Sequence, residues 1–535
     1  MNVNQATLTP KKAKGSLVTE ETMKGLFYSQ GEDHYALDPD LKAILDAFSP
    51  GLPQEALSAF GRLVGEEVLE VAHHVDQDAS PRLLMHDLDG NRLDRALLSP
   101  AQRALLEKLR PMVRPAYEGK GWPLHYAYGY LLADGGLYCI LTITHQVAYA
   151  LHKYAPEHEG VKRELLYGQA YGATWMTEIQ GGSDLGANRT LARREGGAFR
   201  LYQGDKYFAS GAGLADYALV TARPEGAPEG PKGLGLFLLP REVEGRLNFR
   251  VRRFKEKLAT RAVPSGEVEL EGSLAYPIGR LEEGIYYTLE NLTVSRLANA
   301  VAAMGIAKKA HLEVLFRVGR RSAFGRKLVE HALVQRDLLE MRLRQVGGTA
   351  LAFFAVAAFD RAWEERPPYS PSYHYARLLS HLAKGRTAEH GTALTALAME
   401  LFGGIGFLED YGLARWHREA LITPIWEGPA NIQALDMAEA IAKKKAHEPL
   451  LEALKETPVA LAHAEKALKR LAEEGPWYAK EALRRLADAV AVHALSQVAK
   501  APFPELARLY AQAFLEGEGI PAGARRPALY HPWEG

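Results

Sequence analysis

Tyr217-Ala218-Leu219-Val220-Thr221 and Leu234-Gly235-Leu236-Phe237-Leu238-Leu239 are apolar runs of strand length, bounded by turn-forming residues. Three further short runs surround them: Phe199-Arg200-Leu201-Tyr202, Leu247-Asn248-Phe249-Arg250-Val251 and Glu267-Val268-Glu269-Leu270. Gly- and Pro-rich turns, as at Pro224 to Gly233, separate the runs. About eighty residues of this kind, Gly197 to Leu274, predict a small β-barrel or sandwich set into a larger chain.

On both sides the pattern is helical. From about residue 40 to 168 apolar residues recur at three- and four-residue spacing, as in Leu41-Lys42-Ala43-Ile44-Leu45 and Ala101 to Leu109. Downstream, the spans Ile285–Val318, Leu328–Glu364, Ser372–Leu401 and Ala430–Lys445 predict a helical bundle. Pro449 opens another helical segment to about Leu515, and Gly517 to Gly535 reads as a Gly/Pro-rich tail. Met1 to Asp40 reads as an extended arm with aromatics at Phe27, Tyr28 and Tyr35, able to pack on the body or on a neighbouring subunit. The expected class is α+β and mainly α. Its expected parts are an arm (1–40), a helical domain (41–168), a β-domain (169–280), a four-helix bundle (281–445) and a helical extension (446–535).

With 535 residues, the chain can bury a large core. Hydrophobic residues at 47% and charged residues at 24% are ordinary for a globular protein. Lys+Arg and Asp+Glu balance at 65 each, so the whole-chain charge gives no reason to expect nucleic acid or an acidic membrane as partner. A single cysteine, Cys139, excludes an internal disulfide and a cysteine-built metal site, and reads as a small buried hydrophobe. No metal-binding pattern stands out. The polar N-terminus, with Lys11, Lys12 and Lys14, has no signal-peptide core, and no apolar run is long enough to span a bilayer. A cytoplasmic location is expected.

Four segments carry chemistry. Ile425-Trp426-Glu427-Gly428-Pro429-Ala430-Asn431-Ile432-Gln433 isolates one carboxylate among apolar neighbours, with Gly428-Pro429 reading as the cap and first turn of a helix. Partial desolvation would raise the Glu427 pKa and make it a proton acceptor near neutral pH, although a surface glutamate ahead of a helix has the same local sequence. Trp175-Met176-Thr177-Glu178-Ile179-Gln180-Gly181-Gly182-Ser183-Asp184 ends in a turn whose amides and hydroxyl suit a polar ring edge or a phosphate; simple chain reversals look alike. Arg320-Arg321-Ser322-Ala323-Phe324-Gly325 places arginines where they can pair with phosphate or cap a helix end. Leu401-Phe402-Gly403-Gly404-Ile405-Gly406-Phe407 lets something flat approach the backbone, or only closes a helix.

Together and in this order, these segments resemble the acyl-CoA dehydrogenase family of flavoproteins over roughly residues 50 to 445. Phe27-Tyr28-Ser29-Gln30, Leu83-Leu84-Met85-His86-Asp87 and the extra C-terminal helices are similar to the AidB-type branch, whose members are linked with the response to DNA alkylation. The resemblance implies a helical domain, a β-domain and a four-helix bundle that bind FAD, completed by a second subunit in a homotetramer. Glu427 would be the catalytic base. Met176 and Thr177 would contact the flavin ring, Gly182 and Ser183 would line the flavin and thioester region, and Arg296 with Ser183 would hold the substrate. Phe208 falls where a tryptophan often lies against the flavin, and Ser210 on a flavin-bonding hydroxyl position. Arg321 and Phe324 would reach the partner's FAD; Gly403, Gly404 and Asn431 would also border the cofactor.

Some family members carry the base immediately before the position of Arg296; here that residue is Ser295, which leaves Glu427. Pro429, Asn431 and Glu400 depart from the common threonine, glutamine and glutamine, which fits the AidB branch and weakens the expectation of ordinary straight-chain chemistry. The implied reaction is α,β-dehydrogenation of an acyl-CoA, with hydride transfer to flavin N5 and an electron-transfer flavoprotein as acceptor. Two alternatives stand beside it: a DNA-binding AidB-like flavoprotein with weak dehydrogenase activity, and an acyl-CoA oxidase. Against DNA binding, Pro449 to Gly535 carries about as many acids as bases, with Lys469-Arg470, Arg484-Arg485 and Arg525-Arg526 its only basic pairs.

Overall fold

The computed structural model describes residues Gly25 to Trp533. The basic residues Lys11, Lys12 and Lys14, the first part of the arm and the last two residues lie outside this range. The rest of the arm packs on the chain's own body. Phe27 lies against Trp416 and His73, with ring centroids 5.4 and 5.7 Å apart. The Tyr28 and Ser29 amides donate to the Glu313 carboxylate at 2.7 and 2.9 Å.

The β-module closes on itself. Strand Tyr217–Pro224 pairs with Leu191–Glu195 on one side and Gly235–Pro240 on the other; Ala198–Tyr202 and Ser273–Pro277 complete the ring, and Gly172–Trp175 adds a parallel edge. A second sheet orders Arg250–Phe254, Ser265–Leu270 and Gly204–Ser210. Alternating residues such as Phe199, Leu201, Val220 and Leu239 fill the interior.

The expected strand 247–251 is corrected. Leu247 ends one short strand and Arg250 begins another. Asn248 breaks the ladder because its side chain donates to the Pro240 and Leu274 carbonyls at 2.8 Å and accepts from the Leu274 amide at 2.7 Å. The hairpin Arg82–His86/Arg92–Leu97, inside the region read as helical, was also unexpected. Its strands are short and face solvent on one side, so they carry little apolar signal.

The bundle consists of helices Gly284–Arg320, Ala332–Ala362, Pro371–Phe402 and Ala430–Lys444. Small residues set its closest approaches: a Cβ on Gly305 would lie 2.1 Å from the Tyr130 carbonyl oxygen. The extension forms helices His447–Leu454, Pro458–Glu474, Ala479–Ser496 and Phe503–Tyr510. Tyr510 fixes it to the bundle, donating to Asp488 at 2.7 Å and meeting the His390 ring nitrogen at 2.7 Å. The Gly/Pro-rich tail is docked, not loose: Leu529 and Tyr530 are buried, and the Trp533 indole donates to the Leu37 carbonyl. Among the described residues, no helix is long and apolar enough to cross a membrane.

Candidate active site

Glu427 sits on a backbone corner. Its φ is +59° and that of Gly428 is +91°, so two consecutive residues are left-handed between the turn ending at Trp426 and the helix that starts at Ala430. Pro429 is that helix's cap, one position later than the sequence suggested. A left-handed glutamate costs on the order of 1–2 kcal/mol, and hydrogen bonds must hold it. The Glu427 carbonyl accepts from Arg296 Nε at 3.2 Å and Gln433 Nε2 at 2.8 Å. The Gly428 carbonyl accepts from Gln433 Nε2 at 2.9 Å and Lys384 Nζ at 2.7 Å. His381 in turn meets Gln433 Oε1 at 2.9 Å.

The carboxylate itself accepts from Ser295 Oγ at 2.6 Å. Burial pushes its pKa up from the usual carboxylate value; the Ser295 bond and the charges of Arg296 and Lys384 oppose that shift without cancelling it. The expected desolvation of Glu427 is therefore present. Arg296, expected to hold substrate, lies at the same corner. It is only 2% exposed, and its guanidinium joins the Glu427 carbonyl to Asp436, 3.1 Å away. These two bonds brace the loop, while its Nη1, also buried, has no hydrogen-bonding partner among the described residues.

Cys139, expected to be a small buried hydrophobe, packs against both apolar cores. It is half-buried, and its thiol lies within the influence of Glu427, Lys257 and the Ser210 hydroxyl. Burial pushes the thiol up to about 11. In the β-module, Ser210 Oγ and Ser265 Oγ are 3.2 Å apart and Lys257 Nζ donates to Ser265 Oγ at 3.1 Å. Met176 and Thr177 are half-buried, and Gly182 and Ser183 are exposed. Their loop is pinned by the buried pair Glu178–Lys206 at 2.8 Å. Phe208 presents 58% of its surface.

A second group lies apart. Arg321, Gly403 and Gly404, with Arg317 and Leu401, line a hollow of about 570 Å³. Neither glycine has an atom within 4 Å of where a Cβ would sit. Phe324, on the hairpin Ser322–Ala323/Arg326–Lys327, is 97% exposed. Asn431 is exposed in the first turn of its helix. The family resemblance had marked the position of Ser295, but the sequence gave no sign of Lys384, Lys257 or Cys139 as neighbours of this site.

Three family models tile most of the chain: the AidB adaptive response protein N-terminal domain over residues 28–172, the acyl-CoA dehydrogenase middle domain over 173–273 and its C-terminal domain over 282–442. The chain belongs to the acyl-CoA dehydrogenase family, whose general reaction is FAD-dependent dehydrogenation, and it is an enzyme of that family. Its relatives point to the AidB-like branch. The putative acyl-CoA dehydrogenase AidB of Escherichia coli is 29% identical over 88% of this chain and 89% of that protein. Acyl-CoA dehydrogenase family member 11 of Caenorhabditis elegans is 28% identical over 77% of this chain and 71% of that one. A crystal structure of C. elegans ACDH-11 with C11-CoA matches with a TM-score of 0.82 at 25% identity, covering 95% of this chain and 94% of that chain.

Proposed function

We propose that this protein oxidises the Cα–Cβ bond of an acyl-CoA thioester, with Glu427 removing the α-proton. The observation that carries the reading is a desolvated carboxylate held on a left-handed corner by donors from three helices. A carboxylate with a raised pKa is a stronger base than a solvated one, and the Ser295 bond moderates the rise. The acidity of the α-carbon must rise as well, through hydrogen bonds to the thioester carbonyl that strengthen as the enolate forms.

The residues present fit FAD. Thr177 keeps its hydroxyl free of hydrogen bonds to other described residues, Gly182 offers bare backbone, and Phe208 offers an exposed ring. Thr177, Ser210, Met176 and Gly182 would hold the ring. When bound there, FAD supplies an acceptor at N5 for the hydride leaving the β-carbon. Arg321, Phe324, Gly403 and Gly404 face outward, which suits completion of a neighbouring subunit's cofactor site and hence a homo-oligomer, with a tetramer as the expected form. An electron-transfer flavoprotein in the cytoplasm is the proposed acceptor. The acyl-CoA carried by the nematode relative supports the substrate class.

The test is anaerobic titration of the flavin-loaded protein with acyl-CoAs of graded length and branching. The flavin should bleach with at least one of them, and Glu427→Gln should retain FAD yet not bleach. Unchanged bleaching in that variant would remove Glu427 from the role. Peroxide release during aerobic turnover would identify an oxidase.

A further inference from the structure

Lys384 is fully buried, with 0% exposure, in the middle of helix Pro371–Phe402. Its Nζ has one hydrogen-bonding partner among the described residues, the Gly428 carbonyl at 2.7 Å. An ammonium is costly to bury, and the usual compensation is a carboxylate in direct contact. Here the compensation is a neutral carbonyl together with the nearby Glu427. Burial pushes the amine down to about 7, and Glu427 is the carboxylate that opposes the fall.

The charged and titratable groups around this corner come from every element packed on it. Arg296 lies on helix Gly284–Arg320, Cys139 on Gly135–Tyr154, Arg377 and His381 on the helix of Lys384, and Asp436 on Ala430–Lys444. Arg296 shares its charge with Asp436 at 3.1 Å, and His381 is held neutral by burial. Lys384 has no such second carboxylate acting on it.

Resting on the assignment of Glu427 as the base, we propose that Lys384 is its positioning residue: it clamps the Gly428 carbonyl, fixes the left-handed corner, and directs its charge at the Glu427 carboxylate. The clamp sets where the carboxylate points. The charge sets how readily it is ionised.

The test compares Lys384→Met, which removes both bond and charge, with Lys384→Gln, which removes the charge but keeps a donor for the carbonyl. Both are measured as FAD-loaded proteins. The acid limb of kcat/KM should move up by about one pH unit in each. kcat should fall by roughly ten- to a hundredfold in the methionine variant and less in the glutamine variant, with KM little changed. If the methionine variant folds poorly, the glutamine variant alone decides the charge effect. In parallel, infrared titration of the substrate-free proteins follows the carboxyl band that Glu427→Gln abolishes; its midpoint should rise in both variants. An unmoved midpoint and acid limb, with flavin content intact, overturn the proposal. An active Glu427→Gln overturns the base assignment instead, and the infrared midpoint then still reports on Lys384.

Discussion

Ser295 Oγ donates a 2.6 Å hydrogen bond to Glu427 Oε2, so the residue just before Arg296 supports the proposed base from 132 residues away. Neither position is redundant: one carries the carboxylate, the other fixes its rotamer and part of its proton affinity.

Removing that hydroxyl should be visible in the pH profile. A hydrogen bond to a carboxylate contributes about 1.5–3 kcal/mol, and its loss favours the protonated form. In Ser295→Ala the acid limb of kcat/KM should move up by about one to two units, with activity approaching that of the wild type at higher pH. A profile superimposable on the wild type would show that the bond does not tune the base.

The outward-facing group makes a different prediction. Arg321→Glu and Phe324→Ala leave the Glu427 corner untouched but should lower the flavin-to-protein absorbance ratio of the purified protein. Full FAD occupancy in both variants would remove these side chains from cofactor binding.

Gly305 offers a stability test away from the chemistry. Any Cβ there must displace the Tyr130 carbonyl and the Ala133 methyl, at 2.1 and 2.5 Å. Overpacking against backbone costs roughly 1–3 kcal/mol, so Gly305→Ala should lower the midpoint of chemical denaturation. An unchanged midpoint would mean that the two helices separate at no cost.

Acid should destabilise the fold before carboxylates matter. Burial pushes His125 and His531 down to about 4 and His34 down to about 3. Their unfolded value is about 6.5, so the unfolded chain takes up protons first as pH falls. The stability they contribute is complete above about pH 6.5 and is lost as pH falls toward 4, up to about 3 kcal/mol for His125 alone. Tm measured by scanning fluorimetry should decline across that window; a flat Tm would contradict the burial of these rings in neutral form.

The C-terminal extension should not bind duplex DNA in a salt-steep manner. Four of its arginines lie beside carboxylates: Arg470 with Glu474 at 2.8 Å, Arg484 with Glu389 at 2.8 Å, Arg485 with Glu481 at 2.9 Å and Arg526 with Glu505. Counterion release needs a surface with excess positive charge. A gel shift at low salt that vanishes at moderate salt would favour the DNA-binding alternative.

Periodicity and motif spacing by themselves determined the order of helical and β regions and the long bundle helices, because local apolar patterning and turn chemistry act over a few residues; they left the burial of Glu427 open. The hairpin at 82–97 and the break at Asn248 escaped, since each depends on what lies across from it. Only tertiary structure decided that Ser295 bonds the Glu427 carboxylate, that Lys384 and Arg296 hold the backbone of its corner, and that the tail docks on the body. Those contacts join residues tens to hundreds of positions apart, and a buried polar group's role is set by the partner that packing brings to it.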